Sequence, residues 1–271
     1  VVAAKTELYK WLGSRKGSVI FLNEDDSVLK AKAAGQPCHC FGYGLEYQGA
    51  SILPSSAEEP FLRLMLDGMV ISTRLIGAYN AANVLAAIAV GDYFGIPREE
   101  SIAAVESFVP DNERSEMRRT QKNALIVDAY NANPTSMAAA LDNFERMLGG
   151  GEGRPGLALL GEMRELGADS LREHASLLRR FLASGDIPCV MLVGQEFLKA
   201  LDECGLEYEV VDEEGKVAAK NSRSGEGSSP FVWAPTSEAL LKYLRAHSVE
   251  GRLVLIKGSR STQMEKVIPA L

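Results

Sequence analysis

The second half of the chain alternates between short apolar runs and stretches with the spacing of amphipathic helices. The apolar runs, each long enough for one buried strand, occur at 124–127, 157–160, 189–193, 208–211, 231–233 and 253–256. Two helical stripes are formed by Met137, Ala140, Leu141, Phe144 and Met147, and by Leu171, Leu178, Phe181 and Leu182. This alternation predicts an α/β fold with a Rossmann-like, mostly parallel sheet and helices on both faces.

The first part of the chain, to about residue 110, has fewer such units. Two apolar runs flank Asp67-Gly68, which predicts a β-hairpin. Other predicted elements are a strand at 17–22 and helices over 78–94 and 97–107, the first with Val84, Leu85 and Ile88 on one face. We therefore predict two domains, residues 1–110 and 111–271, of which the first is too small to be a complete nucleotide-binding domain.

Composition narrows the possible partners. A net charge of −7 without a basic stripe argues against nucleic acid. No apolar run approaches the roughly 18 residues of a membrane helix, so we expect no membrane insertion. The four cysteines fit a reducing compartment. Because Cys38-His39-Cys40 has C-x-C spacing and no second ligand pair follows, we predict a loop or strand edge there and no metal site.

The segment Asp128–Met137 (DAYNANPTSM) follows the first strand of the second part and leads into a helix. Parallel sheets bind ligands at the carboxyl ends of their strands, which makes Asp128 a candidate. Asn133 is predicted to cap the helix, with Pro134 at its first position. Lys257 and Arg260, in the segment KGSR after the last strand, stand where a helix N-terminus attracts anions; the alternative is surface charge.

Other candidate residues have equally plain structural alternatives. Asn80 and Asn83 share a helix face and could recognise a base edge, or could cap the helix and face solvent. Arg114 in the linker is either a phosphate clamp or a solvated charge. His174 lies alone on a helix, where a histidine is more often structural than catalytic.

Several segments together resemble the Mur ligases of peptidoglycan synthesis. They are AKTEL (4–8), GAYNAANVLAA (77–87), PDNERSE (110–116), DAYNANPTSM (128–137), LGEMRELG (160–167) with His174, and IKGSRSTQMEKV (256–267). They occur in the family's order across nearly the whole chain. Glu116 departs mildly from the glutamine of many members. YNANP and KGSR favour D-Ala-D-Ala as the acceptor substrate.

The resemblance implies an ATP-dependent peptide-bond-forming enzyme of the cytoplasm. Its substrates would be UDP-MurNAc-tripeptide and D-Ala-D-Ala, and it would use ATP and Mg²⁺. Residues 1–110 would be the C-terminal part of a central ATP-binding domain, and 111–271 the C-terminal ligase domain. The implied nucleotide contacts are Asn80, Asn83, Arg114, Asp128 and Tyr130. The implied substrate contacts are Asn131, Asn133, Glu162, Glu165, Lys257, Ser259 and Arg260. The resemblance also assigns a catalytic role to Arg114, Lys257 and Arg260.

One departure from the family is large. No G-x-x-x-x-G-K-[ST] occurs in the chain, so the P-loop, and with it the family's magnesium-binding glutamate and modified lysine, is expected upstream. We therefore expect a fragment that is inactive alone. Two alternatives stay open: another ligase of the superfamily, such as a folylpolyglutamate synthase, or a noncatalytic nucleotide-binding module. YNANP and KGSR argue against the first, and the lack of a glycine fingerprint after the strand at 124–127 argues against the second.

Overall fold

The computed structural model describes residues 2–55, 59–110, 116–149, 154–221 and 230–271. The chain separates into two compact units, and apart from Glu59 and Pro60, which group with the second unit, the division falls between Val109 and Pro110. The elements of the first unit are α1 (Val2–Gly13), β1 (Val19–Asn23), α2 (Ser27–Ala33), β2 (His39–Tyr43), β3 (Ser51–Ile52), β4 (Phe61–Leu66), β5 (Met69–Ile76), a 3-10 turn (Ala78–Asn80), α3 (Ala81–Tyr93) and α4 (Arg98–Ser107).

The first unit contains the predicted hairpin. Strands β4 and β5 pair antiparallel, and β3 extends them to a three-stranded sheet. Asp67 and Gly68 both have positive φ, 49° and 78°, as a tight hairpin turn requires. The predicted face of α3 is buried in the core of this unit together with residues of β4 and β5. Strands β1 and β2 form a separate parallel pair, and Cys40 lies within β2, which confirms the strand interpretation of that segment.

The second unit contains one β-sheet and the helices that pack against it. Its elements are β6 (Glu116–Arg119), β7 (Ala124–Asp128), α5 (Pro134–Gly149), β8 (Gly156–Gly161), a 3-10 turn (Gly167–Asp169), α6 (Ser170–Ser184), β9 (Val190–Val193), α7 (Gln195–Glu203), β10 (Tyr208–Val211), β11 (Val217–Asn221), β12 (Phe231–Ala234), α8 (Ser237–Ala246), β13 (Leu253–Lys257) and two 3-10 segments (Arg260–Thr262 and Met264–Ala270).

The sheet of the second unit has eight strands in the order β11-β10-β12-β9-β8-β13-β7-β6. The six central strands are parallel, and the two edge strands, β6 and β11, are antiparallel to their neighbours. All six predicted strands are present, so the predicted fold class is confirmed. The last strand, β13, lies between β7 and β8, which brings the carboxyl ends of these three strands side by side.

Helices cover both faces of this sheet. Side chains such as Val127, Leu159 and Ile256 share one core with α8 and with the C-terminal 3-10 segment. Strand residues alternate between faces, and a Cβ at Gly156 would point at Phe144 and Leu148 of α5, so α5 lies on the opposite face. Both faces are apolar because each is buried under helices.

One predicted helical stripe was wrong in part. In α6, Leu178 and Phe181 are buried, but Leu171 and Leu182 are 38% and 51% exposed. The buried face of α6 includes His174, Ala175 and Leu177 instead. The predicted face of α6 included only large apolar residues, whereas a small alanine and a histidine occupy part of the face that is buried. In the described part of the chain, no helix has the length and apolar character needed to cross a membrane.

Candidate functional site

A lysine–aspartate pair lies where β7 and β13 end. The two strands are in register with Lys257 opposite Asp128, each the last residue of its strand. The Lys257 ammonium is 2.5 Å from Asp128 Oδ2 and donates a second hydrogen bond, 3.0 Å long, to the carbonyl of Asn131. Lys257 is only 1% exposed and Asp128 only 9%. The sequence predicts a nucleotide contact for Asp128 and a substrate contact for Lys257, and the direct pairing of the two residues was not predicted.

The loop that follows Asp128 ends in a reciprocal helix cap. Asn133 Oδ1 accepts a hydrogen bond from the Ser136 backbone N–H at 2.9 Å, and the Asn133 N–H donates to Ser136 Oγ at 3.1 Å. Helix α5 begins at Pro134, so the predicted cap is confirmed. Because the cap occupies the amide oxygen of Asn133, a ligand would meet its amide nitrogen. Between Asp128 and this cap, Asn131 is exposed and Tyr130 is half-buried.

Arg260 is the cation of this group that reaches solvent. It is exposed, and its guanidinium lies over the Tyr130 ring, 5.2 Å from the centroid. Ser259 is buried and donates a 2.7 Å hydrogen bond to the backbone carbonyl of Glu162. This bond ties the turn after β13 to the turn after β8. The carboxyl ends of β7, β8 and β13 therefore bring together four predicted site residues: Tyr130, Glu162, Ser259 and Arg260.

Glu162 itself is buried and fully engaged. One carboxylate oxygen, Oε2, accepts the backbone N–H of Glu196 in the first turn of α7 at 2.9 Å, and Oε1 pairs with Arg164 at 2.9 Å. Gly194, just before α7, has φ of 110° and leaves the space that this carboxylate occupies. Gly194 was not among the predicted site residues, although a glycine between a predicted strand and a predicted helix is a visible signal in the sequence. Glu165, by contrast, is exposed and has a positive φ of 62°.

His174 holds the Glu162–Gly167 loop against α6. Its Nε2 accepts the Met163 N–H at 3.0 Å, while Nδ1 lies 2.8 Å from the Ser170 carbonyl, to which it donates. The ring is completely buried and packs edge-on against Phe197, with the two centroids 4.7 Å apart. A neutral imidazole with one donor and one acceptor fits these two partners, so the structural interpretation of His174 is supported.

The two asparagines of the first unit bind each other. Asn80 Nδ2 donates to the Ile76 carbonyl at 2.9 Å, and Asn83 Nδ2 donates to Asn80 Oδ1 at 3.1 Å. Asn80 makes no side-chain bond to the N-terminus of α3, so it does not cap the helix. Asn83 is exposed, as expected. Arg114 lies outside the described residues, and its assignment stays a prediction.

The chain belongs to the Mur ligase family. Residues 113–260 match the glutamate ligase domain of Mur ligases, and residues 1–91 match the Mur ligase middle domain. These matches confirm the family resemblance inferred from the motifs.

Individual proteins similar to this chain include UDP-N-acetylmuramoyl-tripeptide–D-alanyl-D-alanine ligases. The UDP-N-acetylmuramoyl-tripeptide–D-alanyl-D-alanine ligase of Treponema pallidum is 32% identical over 209 residues, which cover 77% of this chain and 40% of that relative. The crystal structure of MurF from Acinetobacter baumannii has a TM-score of 0.72 at 21% identity, and the match covers 98% of this chain and 54% of that one. MurF from Thermotoga maritima in complex with ADP gives 0.71 at 18% identity, covering 99% and 56%. The chain thus spans about half the length of these relatives or less.

The burial of His174 predicts a specific pH dependence of stability. Burial lowers the pKa of His174 below its ordinary value, mainly by desolvating the charged ring. The unfolded chain therefore binds this proton more readily, and stability should be lost as the pH falls below about 6.5, by at most about 1.4 kcal/mol per pH unit.

Urea unfolding from pH 8 to pH 5 measures this loss. In a Trp11→Phe background, fluorescence reports Trp233, whose indole N–H donates to the Gly194 carbonyl in the second unit. His174→Gln should flatten the pH dependence between pH 7 and pH 5. Equal slopes for the two proteins in this range would contradict the assignment.

Proposed function

We propose that the protein containing this chain is an ATP-dependent ligase that joins D-Ala-D-Ala to UDP-MurNAc-tripeptide. The observation that carries the proposal is the group of Asp128, Tyr130, Lys257 and Arg260 at one sheet edge of a chain that belongs to the Mur ligase family. Carboxyl ends of adjacent parallel strands are where α/β folds bind ligands. The similar proteins include UDP-N-acetylmuramoyl-tripeptide–D-alanyl-D-alanine ligases, and this similarity supports the same activity for the protein that contains this chain.

The proposed reaction has two steps. The substrate carboxylate attacks the γ-phosphorus of ATP, which gives an acyl phosphate and ADP. The D-Ala-D-Ala amine then attacks the acyl carbon, its nitrogen gives up a proton to solvent as the peptide bond forms, and phosphate leaves with the C–O electron pair. Such chemistry depends on charge neutralisation and alignment more than on a side-chain nucleophile.

The residues of this chain fit the binding part of that reaction. Lys257 contacts Oδ2 of Asp128, and we assign Oδ1 to the ribose hydroxyls of ATP. Arg260, exposed over Tyr130, is assigned to the D-Ala-D-Ala carboxylate. Asn131, Asn133, Glu165 and Ser259 remain predicted substrate contacts. Asn80 and Asn83 remain predicted adenine contacts.

Glu162 fits this picture only indirectly. Its carboxylate is bound to Glu196 N–H and Arg164, so its contribution would be to hold the loop that carries Glu165. Among the described residues there is no group of three His, Cys, Asp or Glu side chains arranged to hold a metal ion, and we assign no step to Mg²⁺ here.

The test is a ligation assay with the full-length protein. It should release phosphate only when ATP, Mg²⁺, UDP-MurNAc-tripeptide and D-Ala-D-Ala are all present, and mass spectrometry should find the pentapeptide product. The 271-residue chain alone should give no turnover. Turnover with a folate and glutamate but not with D-Ala-D-Ala would replace the proposal with the other superfamily ligase. Nucleotide binding without turnover of any substrate would favour a noncatalytic module.

A further inference from the structure

Lys257 is an unusual lysine because it lies in the interior. Its side chain is 1% exposed, and an ammonium at such a depth is very unfavourable unless it is paired and hydrogen-bonded. Two partners meet that need: Asp128 Oδ2 at 2.5 Å and the Asn131 carbonyl at 3.0 Å. Asp128 is the last residue of β7, and Asn131 lies in the loop that follows this strand. The lysine, which comes from β13, therefore fixes a side chain and a backbone atom of one turn at once.

The contrast with Arg260 separates the two cations of the KGSR segment. Arg260 is exposed, and its guanidinium carbon lies over the Tyr130 ring, 5.2 Å from the centroid. Lys257 has three N–H donors, and two of them are taken by Asp128 and Asn131. Because the side chain is 1% exposed, an incoming carboxylate could reach this ammonium only if the surrounding groups rearranged. Two cations three residues apart are thus placed for different tasks.

We infer that Lys257 is a positioning residue for the nucleotide: it holds Asp128 and the Asp128–Asn131 turn in place and does not contact the D-Ala-D-Ala carboxylate. The inference rests on the proposed function, in which Asp128 meets the ribose. Because Lys257 fixes Oδ2 of Asp128, the second carboxylate oxygen of Asp128 points in one direction. Because Lys257 also fixes the Asn131 carbonyl, it sets the course of the backbone that carries Tyr130. From the KGSR motif alone, Lys257 would be assigned to the binding of an anion.

Lys257→Met in the full-length protein separates the two roles. Methionine keeps much of the side-chain volume and removes the charge. MgADP affinity, measured by isothermal titration calorimetry, should fall about tenfold to a hundredfold, as for loss of a hydrogen bond to a charged group. The KM for D-Ala-D-Ala should stay within about twofold of wild type. Lys122→Met is the matched control, because Lys122 forms an exposed ion pair with Glu250 near the opposite end of β7. It should change neither quantity.

A second measurement does not depend on activity. Deuterium uptake by backbone amides at 129–133 should rise in Lys257→Met, without nucleotide, and should not rise in Lys122→Met. If the wild-type protein fails to ligate D-Ala-D-Ala while this difference is present, the proposed function fails and the positioning of the turn stands. If uptake at 129–133 is unchanged in Lys257→Met, the positioning role is refuted whatever the activity.

Asp128→Asn gives a variant that tests the same idea if Lys257→Met fails to fold. The double variant Asp128→Asn/Lys257→Met leaves no unpaired charge in the interior. Because Lys257 acts mainly through Asp128, the loss of MgADP affinity caused by Lys257→Met should be clearly smaller in the Asp128→Asn background than in the wild-type background. A D-Ala-D-Ala KM raised by Lys257→Met, alone or in the Asp128→Asn background, with MgADP affinity unchanged, would overturn the inference and return Lys257 to the dipeptide.

Discussion

Asp128→Ala should lower the free energy of unfolding of the second unit by about 3–5 kcal/mol. The reason is the partner left behind. Lys257 is 1% exposed, and without Asp128 its ammonium retains, among the described residues, the hydrogen bond to the Asn131 carbonyl, 3.0 Å away. A buried cation that loses its counter-charge must shed its proton or draw in water, and either response destabilises the fold. Most of the loss belongs to the unpaired lysine, because the pair itself is offset by the desolvation of both charges.

Urea unfolding of the 271-residue chain at pH 7.5 measures this effect without nucleotide. The Trp11→Phe background again restricts the fluorescence signal to Trp233. Asp128→Ala/Lys257→Met should recover at least half of the loss, since no charge then remains unpaired. A loss below about 1 kcal/mol for Asp128→Ala would show that the pair is solvated and weak.

This stability effect changes how activity data on Asp128 must be interpreted. A variant that loses activity because the second unit unfolds says nothing about the ribose. Asp128→Asn is the more informative substitution for binding, because the amide keeps the shape of the carboxylate and can still accept a hydrogen bond from Lys257. Nucleotide affinity should therefore be compared among variants that unfold at similar urea concentrations.

The central strands of the second unit could be predicted because each is buried on both faces. Leu125 and Val127 of β7 belong to a continuous apolar run. Such a run indicates a parallel strand between two helical layers. The edge strands β6 and β11 were not predicted. Their sequences, EMRR and VAAKN, carry little apolar pattern, and they form strands because a neighbouring strand supplies hydrogen bonds.

The candidate site was predictable where the signal is local. The adjacent residues Asn133 and Pro134 predict the start of a helix, and the predicted Asn133 cap is present. The partnership of Lys257 with Asp128 joins positions 129 residues apart and depends on β13 entering the sheet between β7 and β8. Nothing in either local sequence reports that strand order. Glu162 was assigned to substrate for the same reason, since its partner at the start of α7 is known only from the fold.

Arg260→Ala in the full-length protein should raise the KM for D-Ala-D-Ala about tenfold to a hundredfold, and should leave the KM for ATP within about twofold. The guanidinium is exposed, and its 5.2 Å contact with the Tyr130 ring is worth about 0.5–1 kcal/mol at a solvated site. The guanidinium is planar and carries N–H donors that can hold two carboxylate oxygens at once. A cation at the acid end of the dipeptide would turn the amine toward the acyl phosphate.

Two comparisons make the Arg260 prediction specific to a carboxylate. Arg260→Lys should give an intermediate KM, because lysine keeps the charge but loses the planar fork. Arg172→Ala is the matched control: Arg172 is an exposed arginine of α6 paired with Asp169 and Glu173, and its loss should have no effect. The C-terminal amide of D-Ala-D-Ala lacks the carboxylate, so wild type should prefer the free acid strongly and Arg260→Ala should prefer it little. If Arg260→Ala keeps the wild-type preference, or raises only the KM for ATP, then Arg260 does not bind the dipeptide acid and the KGSR segment belongs to the nucleotide.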